Sequence, residues 1–100
     1  VLITTDEGAL ALFREDRETH RYRANAPRVD PVSVVGSGDV LVAGFLAARH
    51  AGRSHEDALR AAVAAGAAST LELGAGHFDP RQAGRLQAGV ELDELEPVEA

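Results

Sequence analysis

Val34-Val35-Gly36-Ser37-Gly38-Asp39-Val40-Leu41-Val42-Ala43-Gly44-Phe45-Leu46 decides the fold, because a glycine-bracketed turn here runs straight into an apolar helical segment. Two glycines around one serine permit unusual dihedrals and let another group approach the backbone closely. The first amides of the following helix have no partner inside it, and the helix dipole favours an anion at that end. Asp39 puts a carboxylate at the same place. An anion cradle beside a base suits phosphoryl transfer, where oxyanion stabilisation and a positioned base are most of what a protein contributes. Asp39 reads equally well as a plain first-turn or N-cap acid, so the turn alone leaves both roles open.

Other phosphate and nucleophile motifs fail on this stretch. A dinucleotide fingerprint needs a third glycine where Leu41 stands, and a P-loop needs a lysine that the chain does not have. A nucleophile elbow needs glycines at the positions of Val35 and Asp39, so Ser37 is not expected to be a nucleophile. The histidines His20, His50, His55 and His77 never fall at i, i+4, and no metal site is expected.

Composition narrows the classes further. With 100 residues and 45% apolar content the chain can bury one small core. It holds no methionine and opens on the apolar run Val1-Leu2-Ile3, which reads as an internal segment of a longer polypeptide. All ten cations are arginine, excluding Schiff-base lysine chemistry, and cysteine is absent, excluding disulfides and thiolate metal sites. Net charge is −6, with Glu91, Asp93, Glu94, Glu96 and Glu99 all following the last arginine, Arg85. No basic stripe carries interleaved aromatics, so no nucleic-acid partner is expected, and Arg14, Arg17, Arg21, Arg23 and Arg28 read as solvated strand and loop positions. Without a visible signal peptide or long apolar span, the expectation is a cytoplasmic protein with no membrane partner.

In chain order, Val1 to Thr5 and Ala9 to Phe13 read as strand, turn, strand about Asp6-Glu7-Gly8. Glu18 to Ala24, polar except for Tyr22, is expected to be an exposed edge strand. Asn25 to Pro31, with two prolines, is a connecting loop. Asp39 to about Arg49 is apolar nearly all round and predicts a buried helix ended by Ala51-Gly52. Ser54 with Asp57 three residues on opens a second helix running to about Leu73, rich in alanine about Gly66. Those small side chains suit close helix packing or close approach of a flat ligand. A short helix over 81–87 and a terminal edge strand over 90–95 complete the reading.

Taken with its surroundings, the Gly36 to Asp39 turn resembles the second signature of the PfkB (ribokinase-like) carbohydrate kinases, a Gly-Ala/Ser-Gly-Asp turn before an apolar helix. Three segments agree in order: the Leu2 to Leu12 hairpin with Gly8 resembles the family's nucleotide-binding hairpin; the alanine-rich helix with Gly66 resembles the one beside the adenine; and Ala75-Gly76-His77-Phe78-Asp79 resembles the closing loop of the 1-phosphofructokinase and tagatose-6-phosphate kinase branch. The resemblance implies an α/β chain forming the C-terminal part of a ribokinase-like three-layer α/β/α domain. It implies Asp39 as general base, Gly36, Ser37, Gly38 and the Asp39 amide as anion hole, and Thr5, Asp6, Gly8, Val63 and Gly66 at the nucleotide. ATP with Mg2+ would serve a sugar phosphate substrate, in a full-length protein that could be a homodimer through a lid outside this chain. The sequence departs from the family at Ser33 and Val34, where Asp or Asn and then Thr are usual, at Thr5 or Asp6, where a glycine is usual, and at Val63, where ribokinases often carry asparagine. A non-catalytic nucleotide-binding module, or a kinase for another sugar or nucleoside, is the alternative.

Overall fold

The computed structural model describes residues 1–74 and 76–95. Strands β1 (Leu2–Thr4), β2 (Gly8–Glu15) and β3 (Glu18–Asn25) precede helices α1 (Ser37–His50), α2 (His55–Ser69) and α3 (Pro80–Gln87), and β4 (Glu91–Leu95) closes the described chain. The strands form one antiparallel sheet in the order β1-β2-β3-β4.

Local chemistry accounts for the connections. Asp16 and Arg17 both take positive φ, 49° and 70°, between the paired residues Glu15 and Glu18. Positive φ at both central residues gives the two-residue hairpin turn whose twist matches that of the flanking strands. At the other end of β2, the Gly8 amide donates to Thr5 Oγ1 at 3.0 Å while the Thr5 amide donates to the Gly8 carbonyl at 2.9 Å, closing the β1–β2 turn on itself. α2 starts where Ser54 Oγ accepts from the Asp57 amide at 3.1 Å, and α3 where Asp79 Oδ1 accepts from the Arg81 amide at 2.9 Å with proline beginning the helix.

Period-two alternation sorts the sheet faces. Ala9, Ala11, Tyr22 and Ala24 are buried against Leu41, Leu59, Ala62 and Val63, while Leu10 and Leu12 face away and are exposed. Alanines on both surfaces let α2 lie close to the sheet. Phe13 stacks in parallel on Phe45 (5.5 Å) and on His55 (4.3 Å), and His55 pairs with Glu15, so the far end of the sheet is clamped to the middle of α1 and the start of α2.

Three expectations are corrected. The Glu18 to Ala24 strand is interior, not an edge: β4 pairs along its outer side, and Tyr22 and Ala24 are buried. α1 is not a buried helix, since only Val40, Leu41 and Ala48 are buried and Leu46 is 63% exposed. Its largely apolar surface packs on α2, on β1 and, through Phe45, on Phe13 of β2, and leaves Val42 and Leu46 exposed. α2 ends at Ser69 rather than near Leu73, because Thr70 caps it and the Thr70 carbonyl accepts the Val32 and Ser33 amides at 2.6 and 2.9 Å. The expected edge strand near the end of the chain is present as β4. Ala75, Glu96 and Glu99 lie outside the described residues.

Candidate functional site

A groove of about 530 Å³ opens between the β1–β2 turn, the start of α1 and the last turns of α2. Its size falls in the range of small-molecule sites. Leu41, Val63, Gly66 and Ala67 give it an apolar floor. Thr5, Asp6, Glu7 and Gly8 form one wall, and the loop from Ala26 to Pro31 forms another.

The glycine turn enters this groove through a left-handed residue. Gly36 caps α1 with φ 80°, a conformation that a side chain would strain. Ser37 Oγ donates to the Val34 carbonyl at 2.9 Å, and the Ser37 amide is turned to the same oxygen at 3.3 Å. The first bond of the helix proper runs from the Val40 amide to the Gly36 carbonyl at 3.0 Å. That leaves the Gly38 and Asp39 amides as the donors at the positive end of α1 that the helix itself does not use. Gly38 lies against Thr4, whose Oγ1 would be 3.6 Å from a Cβ at that position. Gly66 brings α2 hard against the same turn, since a Cβ there would stand 3.2 Å from the Ser37 carbonyl oxygen and 3.3 Å from Leu41 Cβ.

Of the residues singled out in the sequence, Thr5, Asp6, Gly8, Ser37, Gly38, Val63 and Gly66 line this one groove. Gly36 and Asp39 do not line it; Asp39 is exposed on the first turn of α1, one residue beyond Gly38. Sequence reading missed Thr4, Asn25, Arg28, Thr70 and Glu91, all of which also line it. Arg28 is the single cation among the lining residues, set against Asp6, Glu7 and Glu91. Its loop carries no periodicity, and the only local signal was the pair of prolines that shape it.

The groove joins an apolar floor to the hydroxyls of Thr4 and Thr5 and to free amides at a helix start for an anion, groups that suit a nucleotide, while the Ser37 and Thr70 hydroxyl protons are already given to the Val34 and Ala67 carbonyls. No group of three or more His, Asp or Glu side chains able to hold a metal ion occurs among the described residues. Magnesium commonly binds through substrate phosphates plus one or two carboxylates rather than a protein cage, so this donor set is compatible with an ion arriving on a polyphosphate. None of the described helices is long and apolar enough to cross a membrane.

Residues 1–82 match the family model for pfkB family carbohydrate kinases. The chain is 34% identical over 81 residues to the 1-phosphofructokinase of Vibrio cholerae, covering 81% of this chain and 26% of that protein. It is 39% identical over 69 residues to the acarbose 7(IV)-phosphotransferase of an Actinoplanes species, covering 67% and 23%. A Staphylococcus aureus crystal structure assigned as a phosphofructokinase superposes with a TM-score of 0.79 at 26% identity, over 96% of this chain and 30% of that one. The chain thus spans about a quarter of the length of the curated relatives it matches. Its antiparallel sheet and helices are consistent with one portion of a ribokinase-like three-layer domain. With the family model matching more than four-fifths of its residues, the chain belongs to the pfkB family of carbohydrate kinases.

Proposed function

We propose that the polypeptide containing this chain is an ATP-dependent kinase of the 1-phosphofructokinase or tagatose-6-phosphate kinase type, and that the chain supplies its nucleotide groove, anion hole and base. The observation that carries this reading is the convergence of the Thr5 to Gly8 turn, Ser37-Gly38 and Val63-Gly66 on one groove. Segments separated by up to sixty residues in sequence meet where a nucleoside would need an apolar floor and its phosphates would need amides.

In this reading the base lies over Val63, Gly66 and Ala67, with the triphosphate directed to the start of α1. The Gly38 and Asp39 amides stabilise charge on the migrating phosphoryl group. The Asp39 carboxylate, exposed beside the groove, takes the proton from the acceptor hydroxyl as that oxygen attacks the γ-phosphorus and ADP departs with the electron pair of the broken bond. Magnesium supplies charge neutralisation on the polyphosphate when bound. The sugar phosphate is held by parts of the domain this chain does not span.

The direct test is ADP release by the intact polypeptide with magnesium and ATP on fructose 1-phosphate, tagatose 6-phosphate and fructose 6-phosphate, alongside Asp39→Asn. Loss of the general base should lower turnover about a hundredfold or more with ATP affinity retained. Turnover within a few-fold of wild type would remove Asp39 from the mechanism. A second reading, a nucleotide-binding module without turnover, is favoured by one observation: the Asp6 and Glu7 carboxylates stand in the groove wall, where they repel phosphates. ATP bound tightly in calorimetry with no turnover on any of these sugars would select it.

A further inference from the structure

The segment that leads into α1 is held by hydrogen bonds and not by apolar burial. Val32, Val34 and Val35 are 58%, 65% and 67% exposed, so its valines anchor nothing in the core. The Val32 and Ser33 amides hang instead on the Thr70 carbonyl at the end of α2, and the Val35 amide donates to Ser33 Oγ at 3.4 Å. Among the described residues, Ser37 alone ties the glycine turn back to this segment. Its hydroxyl donates to the Val34 carbonyl at 2.9 Å, and its amide faces the same oxygen at 3.3 Å.

Ser37 carries the one side chain between Gly36, with its φ of 80°, and Gly38, so nothing else restrains the turn from within. A hydroxyl has a single proton to give. At Ser37 that proton lies on the Val34 carbonyl, and what the oxygen still offers is lone pairs, which a phosphate oxygen repels. The hydroxyl therefore has no hydrogen left for an anion, whereas the Gly38 and Asp39 amides that follow it do. On its other side the Ser37 carbonyl lies close to α2, where a Cβ at Gly66 would stand 3.2 Å from it. One residue thus fixes the turn to the preceding loop through its side chain and to α2 through its backbone.

We infer that Ser37 is a positioning residue for phosphoryl transfer: its hydroxyl, held on the Val34 carbonyl, sets where the Gly38 and Asp39 amides and the Asp39 carboxylate stand, and makes no bond to the migrating group. The inference rests on the phosphoryl-transfer reading and adds to it the group that keeps the anion hole in place. Ser37→Ala removes the shorter bond and leaves the longer one, so the turn stays near its place and gains freedom about it. A misplacement of about 1 Å can cost a reaction about a hundredfold, while the apolar floor of the groove is untouched.

Glycine labelled with 15N reads Gly36 and Gly38 in the intact polypeptide without any assay of turnover. Backbone order parameters there should be about 0.85 in the unsubstituted protein, fall below about 0.6 in Ser37→Ala, and return in Ser37→Thr, which keeps the hydroxyl. Unchanged order in Ser37→Ala would overturn the inference. In ADP release on fructose 1-phosphate, tagatose 6-phosphate and fructose 6-phosphate, Ser37→Ala should lower kcat about tenfold or more while KM for magnesium-ATP rises less than about threefold. KM raised about tenfold at unchanged kcat would make the hydroxyl a ligand of the bound nucleotide and overturn the positioning role. If the unsubstituted protein releases no ADP with any of the three, the phosphoryl-transfer reading fails and the inference falls with it. Turnover that Ser37→Ala leaves intact would sink the inference alone.

Discussion

Tyr22, buried on the interior strand β3, donates its hydroxyl proton to Glu56 Oε1 at 2.6 Å across the gap between sheet and α2. The bond is the largest cause of two opposed shifts. It raises the phenol above its ordinary range and lowers the Glu56 carboxyl below its own. Both shifts express one preference, a neutral donor facing an ionised acceptor.

The sign of each contribution follows. A carboxyl depressed in the folded state adds stability above its unfolded pKa, about 4.3, and loses it as pH falls through the folded value. A phenol raised in the folded state contributes fully below about pH 10 and loses that contribution as pH rises through its folded value. Tyr22→Phe should therefore cost about 1–2 kcal/mol near pH 7. Urea unfolding of both proteins at pH 3, 7 and 11 should show the difference largest at pH 7 and smaller at pH 3. An equal difference at pH 3 and 7 would mean that the bond does not depend on an ionised Glu56.

Gly8 shows how the nucleotide-side turn is locked from behind. A Cβ at Gly8 would lie 2.0 Å from the Ala24 carbonyl oxygen, a backbone atom that cannot step aside without parting β2 from β3. Gly8→Ala should destabilise the protein by about 3 kcal/mol, at the upper end of overpacking costs. The same change at Gly84, where a Cβ meets nothing within 4 Å, should be neutral or slightly stabilising, because alanine favours the helix. Thermal unfolding of the two variants checks the contrast.

How much of this was legible in the sequence depended on whether the deciding partner was local. The β1–β2 hairpin and the Ser54 cap are written in neighbouring residues, and both appear where the chain chemistry puts them. β3 was misjudged because Arg21 and Arg23 alternate with Tyr22 and Ala24. The arginines advertise solvent on one face, while the other face and the second edge are decided by β4, some seventy residues later. α1 was misjudged for a related reason: an apolar surface states what a helix can bury, not whether a partner is present within the chain. The groove followed the same rule. Glycines forced by close approach could be found, whereas Arg28 and Asn25 enter through a loop path that no periodicity records.

Gly66 joins helix packing to the groove. A Cβ there would meet the Ser37 carbonyl at 3.2 Å and Leu41 Cβ at 3.3 Å, so Gly66→Ala must push the first turn of α1 away from α2 by a few tenths of an ångström. Stability should fall modestly, by about 1 kcal/mol, since alanine gains helix propensity while the contact is strained. The displaced turn carries the Gly38 and Asp39 amides, so nucleotide affinity should fall by more than stability does. Calorimetry with magnesium and ATP on the intact polypeptide, set beside the unfolding midpoint, separates the two; affinity unchanged with stability lost would confine Gly66 to packing.

Arg28 is the one cation lining a groove that also holds Asp6, Glu7 and Glu91. If a polyphosphate occupies the groove, this guanidinium offsets the surrounding carboxylates, and its removal leaves phosphates facing acids alone. Arg28 is exposed and no hydrogen bond or ion pair from it is present among the described residues, so Arg28→Ala should leave the unfolding midpoint within about 1 °C. ATP affinity of the intact polypeptide should drop roughly tenfold, equivalent to about 1.4 kcal/mol. Adenosine affinity should hardly change, because the apolar floor that would receive the base is untouched. The ATP effect should shrink as salt is raised from about 0.05 to 0.5 M, since screening shortens the reach of an exposed charge. Equal losses for adenosine and ATP would instead place Arg28 against the base, reversing the direction assigned to the nucleotide along the groove.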